Sequence, residues 1–124
     1  MSMPRRRLGV GGLEAPVLGF GVSGPHGLGL ADTSRFVAAL IDADAGLFDT
    51  APFYADAESR LGAALKACDA LKGAGRDRIT LITKAGAVVS DAAAGAKRKD
   101  FSPAGVTASL EASLRRLGCD HVDV

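Results

Sequence analysis

Cysteine is scarce in this chain of 124 residues. Cys68 and Cys119 are the only two, far apart and without a CxxC pair. That scarcity speaks against a disulfide framework or a zinc site and leads us to expect two buried free thiols in a reducing cytoplasm. Excess charge is also lacking: fifteen Lys and Arg against fourteen Asp and Glu give a net charge of +1. No nucleic-acid or membrane-surface partner is expected from so even a balance. A membrane-spanning run is missing too, since the longest uncharged stretch, Ala15 to Ala31, is interrupted by Pro16, Pro25 and five glycines. The basic start Arg5-Arg6-Arg7 runs into glycines and Glu14 rather than an apolar segment, which does not describe a signal peptide. Neither an internal repeat nor a second domain boundary is visible.

What is present is the composition of a globular interior, 48% hydrophobic and 23% charged. Arg6 to Pro16 reads as a hairpin whose glycines provide positive φ, and Val17–Val22 as a short apolar strand. Ser23–Leu30 is a glycine-rich loop. Asp32-Thr33-Ser34 then forms a cluster of cap residues ahead of Phe36, Val37, Leu40 and Ile41 at helical spacing. Gly46 closes that helix and Leu47–Thr50 is the next strand. Asp56-Ala57-Glu58 opens a second helix with Leu61, Leu65, Cys68 and Leu71 on one face, stopped by Gly73-Ala74-Gly75. Ile79–Thr83 is a buried strand, followed by a long loop from Ala85 to Asp100 that carries Lys97-Arg98-Lys99. Ser102-Pro103 caps a third helix with the stripe Val106, Leu110, Leu114 and Leu117, an ion pair from Glu111 to Arg115, and a stop at Gly118. Val122-Asp123-Val124 begins a fourth strand. The alternation βαβαβαβ after a hairpin predicts an α/β fold with a parallel sheet, and by itself leaves barrel and open sheet both standing.

Parallel sheets carry their chemistry at the carboxyl ends of the strands. Asp49 ends the second strand, Lys84 ends the third, and Tyr54, the single tyrosine, lies in the loop after Asp49. Neighbouring strand tips are about 4.8 Å apart, close enough for an acid and an amine to pair. An ammonium beside a phenol lowers the phenol's pKa from about 10 and makes it a plausible proton donor to a carbonyl oxygen. On geometry alone, a structural ion pair with a rim tyrosine remains an equal reading.

The wording of the sequence shifts that balance. Phe48-Asp49-Thr50-Ala51-Pro52-Phe53-Tyr54, Ala57-Glu58-Ser59-Arg60-Leu61-Gly62-Ala63-Ala64-Leu65 and Ile82-Thr83-Lys84-Ala85-Gly86 resemble the aldo-keto reductase family. So do Gly12–Gly21 and Asp100-Phe101-Ser102-Pro103 through Val124, in the family's order and spacing. The resemblance implies the amino-terminal part of a TIM (β/α)8 barrel: the bottom hairpin, three βα units and the start of strand four, all one partial domain over residues 1–124. It implies NADP(H)- or NAD(H)-dependent interconversion of carbonyl and alcohol on small aldehydes, ketones or sugars, with a weak leaning to bacterial sugar or aldehyde reductases. Tyr54 then matches the general acid, Lys84 the residue that depresses its pKa, and Asp49 the carboxylate paired with Lys84. Gly21 and Val22, with Asp49, match positions near the nicotinamide.

Two departures stand out. Ala55 occupies the position after the tyrosine where the family has glycine. The family's catalytic histidine ends the fourth strand, beyond Val124, and most cofactor-gripping residues belong to later barrel units. A non-catalytic fragment is therefore the alternative expectation, with self-association through exposed barrel edges and no cooperative monomeric unfolding. His121, at the start of the fourth strand, is expected to be structural, His26 a solvated loop residue, and Lys97-Arg98-Lys99 an exposed charge run. Gly19-Phe20-Gly21-Val22-Ser23-Gly24 satisfies GxGxxG, but Pro25, Gly27 and Gly29 separate it from the helix that a dinucleotide fingerprint needs.

Overall fold

A tight turn sets the direction of the chain at its start. Arg5–Leu8 (β1) and Leu13–Pro16 (β2) pair antiparallel with Leu8 opposite Leu13. Gly9 and Gly12 take φ of 62° and 82°, as the expected hairpin requires. The computed structural model describes residues 2–23, 29–89 and 97–124. His26, the last glycine of the GxGxxG pattern and most of the loop from Ser23 lie outside the described residues.

The expected strand from Val17 is shorter than its apolar run. Val17 N–H bonds back to Pro4 O at 2.9 Å, prolonging the hairpin, and only Phe20–Gly21 (β3) joins the ladder. Leu47–Asp49 (β4) lies at the centre, parallel to β3 and to Thr80–Ile82 (β5), with Gly21 opposite Asp49 and Asp49 opposite Ile82. The three strand tips therefore end at one level. The expected fourth strand is only begun: Val124 N–H bonds to Leu81 O at 3.3 Å and Thr83 N–H to Val124 O at 3.1 Å, a single parallel step on the outer edge of β5.

Helix Leu30–Asp42 (α1) starts earlier than the Asp32-Thr33-Ser34 cluster suggests. Gly29 is the extended N-cap, and the Thr33 and Ser34 hydroxyls donate back to Gly29 O and Leu30 O instead of capping. Val37 and Ile41 are buried, while Phe36 meets Phe20 edge-on at 4.8 Å. The helix stops at Asp42, before Gly46. Gly46 is needed for a different reason: a Cβ there would come within 2.7 Å of Arg78 O.

Ala57–Ala67 (α2) buries Leu61 and Leu65, with Cys68 as C-cap. Gly73-Ala74-Gly75 does not stop this helix. It belongs to a separate single turn, Gly73–Arg76 (α3), where a Cβ on Gly75 would press on Asp69 O. The stretch from Ala85 to Asp100 is likewise not all loop. Ala87–Val89 (β6) and Lys97–Lys99 (β7) pair antiparallel, with Gly86 at φ 84° and its carbonyl accepting from Asp100 N–H. Arg98 and Lys99 are exposed, as a solvated charge run should be.

Pro103–Leu117 (α4) is capped as its sequence predicts, Gly105 N–H donating to Ser102 Oγ and Gly118 in the left-handed region at φ 72°. The expected pair of Glu111 and Arg115 is 4.0 Å apart. The buried face of α4 keeps Leu117 of the expected stripe but not Val106 or Leu110. Gly105, Ser109, Ser113 and Leu117 face inward, while Val106 and Leu110 are exposed. The fit is tight at both ends of α4: Gly62 of α2 faces the Leu117 backbone, and Gly105 faces Asp100, neither with room for a methyl group. Phe48, Leu61, Leu65, Leu81 and Leu117 make the fully buried centre between sheet and helices.

Arg76, buried before β5, donates to Ile79 O, His121 O and Asp123 Oδ2 (2.8 Å), and Asp123 Oδ2 also accepts from Leu81 N–H at 2.7 Å. This holds the chain after α4 against the amino end of β5. His121 lies there, at the end of the sheet opposite the carboxyl tips as expected, with its exposed ring against Asp120 (2.6 Å). Both cysteines are free and half-buried, with burial raising both thiol pKa values. Among the described residues, no helix is long and apolar enough to cross a membrane.

Candidate functional site

Each side chain of the cluster owes its place to an element end. Asp49 is the last residue of β4. Lys84 follows β5 by two residues, with Thr50 N–H bonded to Ile82 O between the two tips. The chain then turns over Pro52 and Phe53, Tyr54 N–H bonding to Ala51 O and Tyr54 O accepting from Ala57 N–H as α2 begins. Ala55, where the family pattern has glycine, takes φ 48°. The left-handed backbone that glycine adopts freely is thus kept at the cost of some strain on an alanine.

The structure brings Asp49, Lys84 and Tyr54 together. Lys84 Nζ donates to Asp49 Oδ1 at 2.8 Å and to Thr50 O at 2.9 Å, and lies 5.1 Å from the centre of the Tyr54 ring. Asp49 and Lys84 are each about half exposed, 46% and 48%. Partial burial of the ammonium pulls its pKa down, but the hydrogen bond and charge of Asp49, followed by Tyr54, outweigh this and hold it above the ordinary lysine value of 10.5.

A pH dependence follows from that direction. A lysine whose folded pKa is raised contributes stability that is complete below its unfolded pKa and lost as pH rises through the folded value. The urea midpoint of the chain should therefore exceed that of Lys84→Met by a constant margin from neutral pH to about 10, shrinking only at higher pH. A margin already gone at pH 9 would contradict the pairing.

Thr50 is a residue that sequence reasoning passed over. It is fully buried, and its hydroxyl donates to Val22 O at 3.0 Å while Val22 N–H bonds to Asp49 O at 2.7 Å. Both backbone groups of Val22 are thereby engaged, and its side chain is buried. Gly21 is the open member of the pair: it is exposed, and a Cβ there would meet nothing within 4 Å. Gly21 thus leaves open space beside Asp49, opposite which it lies in the ladder. Glu58 was also missed, read only as a helix-opening residue. It is 2% exposed, accepting from Thr83 Oγ1 and from Arg116 Nε, each at 2.6 Å. No local pattern marks it, because its partners come from β5's end and α4.

A parallel sheet flanked by helices, with acid, amine and phenol gathered at its carboxyl edge, defines an α/β protein whose site lies where such folds bind small molecules. The chain belongs to the Aldo/keto reductase family, whose sequence profile matches residues 17–124. A stretch of 71 residues is 41% identical to 6-dehydroglucose reductase of Agrobacterium fabrum, covering 55% of this chain and 23% of that protein. Among solved structures, an aldo-keto reductase of Pseudomonas aeruginosa aligns with a TM-score of 0.75 at 32% identity, covering 95% of this chain and 43% of that one. A glycerol dehydrogenase of Gluconobacter oxydans aligns at 0.69 with 26% identity, covering 96% and 37%. The chain thus spans less than half the length of these relatives.

Proposed function

We propose that residues 1–124 form part of a single (β/α)8 barrel domain that reduces a small aldehyde, ketone or sugar, and provide the acid–base half of its site. The observation that carries this is the contact of Lys84 with Asp49 beside the Tyr54 ring at the level strand tips. Tyr54 gives its phenolic proton to the carbonyl oxygen of the substrate. Lys84 stabilises the negative charge left on the phenol, and Asp49 together with Thr50 O keeps the ammonium charged and aimed. Gly21, braced by Val22 and adjacent to Asp49, would hold the nicotinamide of NADP(H) or NAD(H), which when bound supplies the hydride. The two free cysteines suit a cytoplasmic setting, and the sugar-reductase relative favours a sugar or small aldehyde as substrate.

Taken alone, the 124 residues are proposed to be inactive, because the Asp49–Lys84 pair stands half open to water that competes for the phenol. They are also proposed to associate with a second copy through the edge strand β3 and exposed Val106, Leu110 and Phe101. The test joins residues 1–124 to the part of the Pseudomonas aeruginosa reductase that follows its matched segment. NADPH oxidation with 4-nitrobenzaldehyde is expected from the joined protein. No turnover, and sedimentation heavier than a monomer, is expected from the chain alone. Turnover that survives replacement of Tyr54 would overturn the reading.

A further inference from the structure

Glu58 is a buried carboxylate that the proposed chemistry does not use, and its partners suggest why it is there. It stands in the first turn of α2, four residues after Tyr54, at 2% exposure. One oxygen accepts from the Thr83 hydroxyl at 2.6 Å, and Thr83 immediately precedes Lys84. The other accepts from Arg116 Nε at 2.6 Å, while Arg116 reaches Ser113 Oγ at 3.2 Å within α4. The three elements that meet at this carboxylate are the helix entered through Tyr54, the strand that delivers Lys84, and the helix packed behind both.

We infer that Glu58 is a positioning residue: by clamping Thr83 and Arg116 it fixes the tip of β5 against the start of α2, and so sets Lys84 against the Tyr54 ring. Geometry supports this over a purely stabilising ion pair. An arginine alone would satisfy the charge, yet the carboxylate divides its oxygens between Arg116 and the residue next to Lys84. Both oxygens are committed, so neither is left to shift the register, and the site at the helix amino end favours the negative charge. Lys84 itself is half exposed and is held on its other side by Asp49 and Thr50 O. Without the clamp, the strand end that carries it has no bond to α2 among those described for Thr83 and Glu58.

The inference rests on the reading of Tyr54 and Lys84 as partners in one site, but its test does not depend on turnover. Tyr54 is the single tyrosine and the chain has no tryptophan, so the near-ultraviolet circular dichroism band of tyrosine reports Tyr54 alone. The part of that band lost in Lys84→Met measures how Lys84 holds the ring. In the 124-residue chain, Thr83→Val should remove at least half of this Lys84-dependent part while the far-ultraviolet spectrum is unchanged. Thr83→Ser, which keeps the hydroxyl, should retain it. Ile41→Val, a loss of packing elsewhere in the core, should also retain it. If Thr83→Val loses its far-ultraviolet spectrum, Glu58→Met decides, since the thioether keeps about the size of the side chain and removes both acceptor oxygens. A band unchanged in whichever of these two variants is folded overturns the clamp. Failure of the catalytic reading appears separately, as turnover of the joined protein that is indifferent to Tyr54.

Discussion

In the joined reductase, Tyr54→Phe should lower kcat by about 10²–10⁴-fold, the usual contribution of a positioned general acid. The ring survives the change, so the packing of Phe53, Tyr54 and the start of α2 is preserved and only the phenolic proton is lost. KM for the aldehyde should move much less than kcat, because a proton transfer made in the transition state is missing while ground-state contacts remain. Lys84 Nζ, 5.1 Å from the ring centre, would keep its bonds to Asp49 and Thr50 O in the variant. Steady-state kinetics on the two proteins decide the point. A loss confined to KM would demote Tyr54 to a binding residue.

Gly62→Ala should destabilise the chain by about 2–3 kcal/mol, toward the upper end of the cost of overpacking. Helix propensity alone predicts the opposite sign, since alanine within a helix is favoured over glycine by about 1 kcal/mol. Contact decides which effect wins. A Cβ at Gly62 would press on Leu117 O and lie 2.7 Å from its carbonyl carbon and 2.8 Å from its Cα. These are backbone atoms, and no rotamer change relieves them. Helix α4 must retreat from α2, and the adjacent bond from Glu58 to Arg116 would be stretched with it. The urea midpoint, compared at one protein concentration, should fall. A midpoint that holds or rises would show that the two helices are less tightly placed than their carbonyl contact implies.

That contact illustrates what a linear sequence does not display. Four turn and cap positions were legible because their physics is local: Gly9, Gly12 and Gly118 take positive φ, and Ser102 accepts from Gly105 N–H. Local chemistry misled where side chains had a second local option. Thr33 and Ser34 bond to carbonyls four residues back, so α1 begins before them. Pairing between distant segments was illegible at β6 and β7, whose ladder joins residues about ten apart with no alternation to announce it. The stripe Val106, Leu110, Leu114 and Leu117 was right at Leu117, which is fully buried, and wrong at Val106 and Leu110, which are exposed while Gly105, Ser109 and Ser113 take the inward positions, because periodicity ranks hydrophobicity and not the size that fits.

By itself, the sequence determined the hairpin, the alternation of the parallel strands with the three long helices, the cap at Ser102 and the presence of Asp49 and Lys84 at successive strand ends. These follow from hydrophobic period, backbone preference and the fixed rise of a strand, all properties of short segments. Only the tertiary structure decided that Lys84 meets both Asp49 and Thr50 O beside Tyr54, that Gly62 is a close-contact position, and that Glu58 is buried between Thr83 and Arg116. Burial of a charge is settled by whether distant partners arrive to satisfy it. That depends on how α2, α4 and β5 pack, which no single segment encodes.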